Sequence, residues 1–434
     1  MSRKEVEWLY QELPELVKAG VLPAENAAKI KQYYGEISDR PKRQTAFTVF
    51  GVIGAALIGL GIILILAHNW DQMTRPTRLL ISLGLLAAAQ LVAGLAIRYK
   101  RDSIAWMEGT GTFLTLSVGA AIALVGQTYH LSDDTGKYLL TWMLLALPLV
   151  YVMGATIPAL LYVVGITLWS YHGQAPIVAK HLVWLLYGLL LPYYRKLMAP
   201  DAGGIRFLAM SWFLLISFYF CFGAAFDKNL NKMVMLIYSG LFALTYAGGL
   251  FYFDKVQNGW NNPFKSVGLA GIVALVYIVT FKGFWEQRSF WEAALKPGES
   301  VLVFVILGAS LWFIVRIIRR KSKSQALFGA APIIVGLGYL LQLYDASGTG
   351  TAVLMNAYFL LFALNLIVKG IRTKRLAMLN VGMLLTVGLI GARFLDIEFS
   401  FIVRGIVFVA LGICFLAANV ILARRKGGED RNEN

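Results

Sequence analysis

The chain has 434 residues, 58% apolar and 15% charged, with a formal net charge of +16 and a mean hydropathy of +0.65. Water-soluble chains carry about 25% charged residues, so these values exclude an ordinary soluble enzyme. Two cysteines, Cys221 and Cys414, both inside apolar runs, exclude a disulfide-held scaffold. What remains is an all-α integral membrane protein.

Residues 1–45 are predicted to form a cytoplasmic helical hairpin. A short helix covers residues 5–12, Pro14 restarts it at a first-turn position, and Gly20 ends it where a left-handed residue is wanted. Pro23 then opens a second helix over residues 24–34. Ile30, Tyr33 and Tyr34 fall on one side of it, and Trp8, Leu9, Leu13, Leu16 and Val17 can pack there. The hairpin is expected to rest on the membrane surface. The alternative is that it binds a protein partner.

Residues 46–423 are predicted to be a transmembrane bundle. About 20 apolar residues are needed to cross the hydrocarbon core as a helix. On that measure the runs are 46–67, 78–98, 104–126, 137–154, 157–171, 178–194, 205–226, 232–253, 264–281, 299–318, 325–343, 351–368, 376–394 and 400–423, about 14 spans. None shows the two-residue alternation of a barrel strand. The first run is followed by His68-Asn69-Trp70 in place of a small-residue cleavage site, and is read as a retained span. Placing the N-terminus inside puts 29 of the 40 Lys and Arg on cytoplasmic segments and 11 on outer ones. Both termini are therefore expected in the cytoplasm, with the net positive charge beside anionic lipid and no nucleic acid involved. The longest outer loop, 282–296, has Phe284, Gln287, Trp291 and Leu295 at helical spacing and reads as an interfacial helix. Residues 424–434 form a charged cytoplasmic tail.

Three groups of residues carry a family resemblance. They are Leu13-Pro14-Glu15-Leu16-Val17-Lys18-Ala19-Gly20-Val21-Leu22, the His68-Asn69-Trp70-Asp71 after the first span, and Gly126-Gln127-Thr128-Tyr129-His130 leading to Trp142 and Pro148. These resemble bacterial membrane proteins of domain-of-unknown-function family 2157. The closing Arg393-Phe394-Leu395-Asp396, Arg404-Gly405 and Phe408 is similar to that family and a related one. The resemblance spans most of the chain and is strongest over residues 8–155. It implies a polytopic bacterial inner-membrane protein and supplies no reaction and no catalytic residues.

Ionisable groups inside spans are costly and are functional candidates. Glu108 sits one turn inside the third span and continues along a small and polar face through Gly111, Thr112, Thr115, Gly119, Ala123 and Gln127. This face reads either as a polar path, with Glu108 as a proton or cation site, or as a packing seam. Gln90, Asn356, Asn365, Asn380 and Asn419 read as interhelical hydrogen-bond partners. A second group gathers in the outer loops: His68, Asp71, His130, Asp133, Asp134 and Asp345. It is a candidate ion or substrate site if the fold unites the loops, or a set of solvated turns if it does not. The metal, if any, is not specified by the spacing. The loops around Asp133 and Asp345 also loosely echo one another, as parallel repeats do.

Protease, hydrolase-elbow and phosphate-loop signatures are absent, and no cofactor pattern occurs. The expected function is a transporter-like protein moving or handling a small or lipid-like molecule. The alternative is a non-transporting envelope scaffold or sensor that uses residues 1–45 as its contact surface. An integral-membrane transferase is the third option.

Overall fold

In the computed structural model the described residues are 3–34, 70–131, 134–171, 181–198, 204–225, 233–253, 259–286, 297–320, 323–345 and 347–396, with isolated helical positions between 402 and 416. The span predicted at 46–67, most of that at 400–423, the tail 424–434, His68, Asp133, Asn419, residues 287–296 and the side chain of Asp71 lie outside them. The described residues hold sixteen α-helices and no strand. The chain divides into two compact units, residues 1–81 and 82–434.

In the first unit, α1 (Arg3–Lys18) and α2 (Ala24–Tyr34) form the expected hairpin. Pro14 lies inside α1 and does not restart it. The helix forgoes the one bond that the missing N–H would make and runs on for another turn. Gly20 (φ +74°) closes it, with Val21 N–H donating to Leu16 O and Gly20 N–H to Val17 O. The shared interior is narrower than the apolar pattern suggests. Leu13 and Ala27 are buried, whereas Trp8 and Tyr33 are exposed. Tyr10 ties the helices by donating to Lys31 O at 3.0 Å. Further on, a 3-10 turn (Trp70–Gln72) buries Trp70, and the Arg78 guanidinium lies 5.7 Å from its ring centre.

Helix α3 (Arg75–Tyr99) leads into the second unit. There follow α4 (Ile104–Thr128), α5 (Thr135–Met153), α6 (Thr156–Tyr171), α7 (Leu182–Met198), α8 (Ile205–Ala225), α9 (Val234–Tyr252) and α10 (Pro263–Ile278). The chain continues through α11 (Lys282–Glu286), α12 (Pro297–Arg320), α13 (Lys323–Gly329), α14 (Ala331–Leu341), α15 (Thr349–Arg372) and α16 (Leu376–Asp396). Every predicted span that falls on described residues is helical. Among the described residues eight helices, α3, α4, α5, α8, α9, α12, α15 and α16, are long and apolar enough to cross a membrane. The count of fourteen is therefore not confirmed. α6 and α10 have 16 residues and α7 has 17. The run 325–343 is split at Ala330 because Pro332 has no N–H to continue the ladder from α13.

The bundle is apolar outside as well as inside. Leu80, Leu91, Phe304 and Leu384 are each more than 60% exposed on these helices, an exterior suited to lipid. Inside, helices approach through glycines. A Cβ on Gly268 of α10 would lie 2.5 Å from the backbone N of Tyr246 on α9, and one on Gly382 of α16 would lie 2.8 Å from Ala363 O on α15. Asn262 caps α10 through Lys265 N–H and donates to Gly249 O, fixing the α9–α10 connection.

Two helix ends place a non-glycine residue in the left-handed region. At the end of α4, His130 (φ +51°) donates to Gln127 O while Leu131 N–H reaches Gly126 O. At the end of α15, Lys374 (φ +52°) donates to Ile371 O while Arg375 N–H reaches Gly370 O. Both are Schellman ends, which favour glycine. The left-handed conformation costs a side-chain-bearing residue about 1–2 kcal/mol, partly offset by the larger entropy that glycine loses on folding. Lys374→Gly and His130→Gly are each expected to stabilise by about 0.5–1 kcal/mol, measured by thermal unfolding in detergent.

Candidate functional site

From Gly111 to Gly119 the Glu108 face of α4 is filled by neighbouring side chains, whereas Ala123 and Gln127 further along it are exposed. A Cβ on Gly119 would lie 2.4 Å from the Trp142 ring, and one on Gly111 would lie 3.3 Å from Pro158. Trp142 is held there because its indole N–H donates to Thr115 O at 2.8 Å. Tyr138 donates to Gly119 O. Thr112 and Thr115 spend their hydroxyl protons on the helix itself, on Glu108 O and Gly111 O. Around Gly111, Thr115 and Gly119 the face is thus a close-packed seam.

Glu108 itself has a built environment. One carboxylate oxygen accepts Thr156 N–H at 2.7 Å and the other accepts Ile157 N–H at 2.8 Å, so a side chain of α4 caps the first turn of α6. Helix N-termini leave such donors unsatisfied and carry partial positive charge. Arg206, at the start of α8, completes the group. Its guanidinium lies 3.1 Å from the Glu108 carboxylate and donates to Thr156 Oγ1 at 2.6 Å, to Tyr193 Oη at 3.1 Å and to Gly154 O. Gly154 (φ +57°) ends α5 in the left-handed conformation, which turns its carbonyl toward this group. Ends of five helices, α4 to α8, are joined at one point. Arg206 lies 98 positions along the chain from Glu108, and no spacing rule links them. The one legible signal was a lone carboxylate within an apolar span.

The outer candidates are not united by the described residues. Among these, no group of three His, Cys, Asp or Glu is placed to hold a metal ion. Asp134 caps α5, accepting Lys137 N–H at 3.0 Å, and the Lys137 contacts hold its carboxyl below the ordinary aspartate range. Asp345 accepts from the Ser347 hydroxyl at 2.5 Å and from Gly350 N–H at 2.7 Å at the start of α15. The Ser347 bond is the main cause of its lowered pKa. Both carboxylates serve the helix that follows them, a likeness that extends the echo between the two loops. His130 is an exposed helix-end residue. Of the amides, Asn356 bridges α15 to Thr280 O and Asn365 bridges it to Ser324 O, as expected, whereas Gln90 is exposed on α3.

Two features were missed by sequence reasoning. Trp285 of α11, outside the predicted aromatic stripe, is fully buried. Its indole N–H donates to Val279 O, and its carbonyl accepts from Gln342. The other is a cavity of about 440 Å³ between α9, α12 and α14, lined by Leu236, Leu307, Ser310, Pro332, Gly336 and Tyr339 among others. Ser310 turns its hydroxyl to the carbonyls of Ile306 and Gly240, which leaves an apolar wall. Leu311, Leu337 and Leu340 at the rim are exposed.

Among the described residues, a helical bundle with eight membrane-length helices, a lipid-suited exterior and most buried polar groups paired defines a polytopic membrane protein. Residues 14–159, about a third of the chain, match the family described as Predicted membrane protein (DUF2157). That stretch contains the hairpin turn, Trp70 and the α4–α5 connection; the closing motif from Arg393 lies beyond it. No curated protein and no solved structure matches the chain.

Proposed function

We propose that the protein is transporter-like and takes a lipid-like or other small apolar molecule from the bilayer into the groove between α9, α12 and α14. The observation that carries this reading is that groove: sized for a small ligand, apolar throughout, and rimmed by exposed leucines. Broken helices recur at the binding sites of transporters, and α13 and α14 are broken at Pro332 beside the groove. The ligand is moved or held without covalent change. The family resemblance implies the inner membrane of a bacterium, and the charge distribution favours both termini in the cytoplasm. A second reading, a scaffold or sensor contacting a partner through residues 1–45, draws support from the close packing around Gly111, Thr115 and Gly119, where α4 meets α5 and α6.

The test is reconstitution in liposomes with fluorescent acyl-chain lipids and single-chain amphiphiles. The wild type is expected to speed their movement between leaflets, and Gly336→Phe, which fills the groove, is expected to cut that rate at least tenfold without loss of folding. If the wild type moves nothing across the panel, or the filled groove works as well, the transport reading fails and the scaffold reading gains.

A further inference from the structure

We propose that the inner end of α12 is a binding site for the headgroup of an anionic phospholipid. A cleft of about 490 Å³ there is lined by Trp312, Val315, Arg316, Arg319 and Arg320. These positions recur at helical spacing, so the three guanidinium groups and the two apolar side chains share one side of the last turns. Among the described residues no carboxylate pairs with Arg316, Arg319 or Arg320. Three cations with no counter-charge among the described residues suit an anion from outside the chain.

Arg316 is preorganised for it. Its guanidinium carbon lies 4.5 Å from the Phe251 ring centre and 5.3 Å from that of Trp312, so α9 and α12 hold it between two aromatic faces. A guanidinium fixed in this way keeps its edge for a phosphate, which it binds in bidentate fashion. Arg319 and Arg320 are exposed and lie one turn further along. The chemistry thus selects a phosphate. The apolar wall selects a lipid over free phosphate: Trp312 is 57% exposed and Val315 38%. Both belong to a helix of membrane-crossing length, where a tryptophan marks the boundary between headgroups and acyl chains. The site stands on other residues than the apolar groove and does not depend on transport.

The experiment uses the full chain in a neutral detergent, titrated with short-chain phosphatidylglycerol, with phosphatidylcholine and inorganic phosphate as separate arms. Binding is read by native mass spectrometry and tryptophan fluorescence. Phosphatidylglycerol is expected to bind at least tenfold more tightly than phosphatidylcholine. Each arginine near an anionic surface contributes a factor of about five, so Arg319→Gln with Arg320→Gln should weaken binding about 25-fold, and adding Arg316→Gln should bring the loss to on the order of a hundredfold. The double variant leaves Arg316 and its ring contacts intact and serves if the triple variant does not fold. The proposal is overturned if the double variant binds phosphatidylglycerol like the wild type, if both lipids bind equally, or if millimolar inorganic phosphate displaces the lipid.

Discussion

Glu108→Ala is expected to destabilise the second unit by about 3 kcal/mol, in the lower part of the range for breaking a buried ion pair because both partners keep some exposure, 14% for Glu108 and 32% for Arg206. The loss has two sources. Arg206 keeps its bonds to Gly154 O, Thr156 Oγ1 and Tyr193 Oη but loses its counter-charge, and the N–H groups of Thr156 and Ile157 lose their acceptor. Glu108→Gln keeps one acceptor and should cost about half as much. The arrangement also makes a sharper forecast. An ordinary ion pair tolerates exchange of its charges, but Glu108→Arg with Arg206→Glu would aim a cation at the positive end of α6. The exchanged pair is therefore expected to be no more stable than Glu108→Ala. Recovery of wild-type stability on exchange, measured by unfolding in detergent, would show that the cap on α6 carries no weight.

Gly268→Ala should be at least as damaging. Its added methyl would lie 2.5 Å from Tyr246 N, 2.7 Å from Tyr246 Cα and 2.8 Å from Phe242 O, all backbone atoms that cannot swing aside. The same contact appears from the other helix, where a Cβ on Gly249 would lie 2.3 Å from Lys265 N. Overpacking costs about 1–3 kcal/mol where side chains can yield, and here α9 and α10 themselves must separate, so about 3 kcal/mol or more is expected. Gly84→Ala is the matched control. Among the described residues nothing lies within 4 Å of its Cβ position, and helix propensity predicts a gain of up to about 1 kcal/mol. Equal effects of the two substitutions on the melting temperature would mean that the α9–α10 contact is not made through glycine.

Much of the fold was legible because a bilayer constrains helices strongly. The twelve apolar runs that fall on described residues are helical, though only eight of the helices reach membrane length, and Gly20 was placed as a helix end from conformational preference alone. Helix length was less legible. Hydropathy counts apolar residues and does not locate breaks in the backbone ladder: the run 325–343 is split beside Pro332, whereas Pro14 and Pro148 lie within unbroken helices. The site was legible only in part. Glu108 stood out as a carboxylate in an apolar span, but Arg206 and the first turn of α6 reach it through tertiary packing, which no local pattern encodes. Asp134 and Asp345 drew attention as acidic residues in loops, although each precedes a helix, the position where aspartate is ordinarily a cap.

The shortness of α10 bears on the surrounding lipid. Its sixteen residues rise about 24 Å, against a hydrocarbon thickness of about 30 Å. A bilayer spanned by such a helix thins beside it, at a fraction of a kcal/mol per ångström. Ile278 at its end is exposed, so a spanning α10 would give the protein a preference of its own for thin membranes.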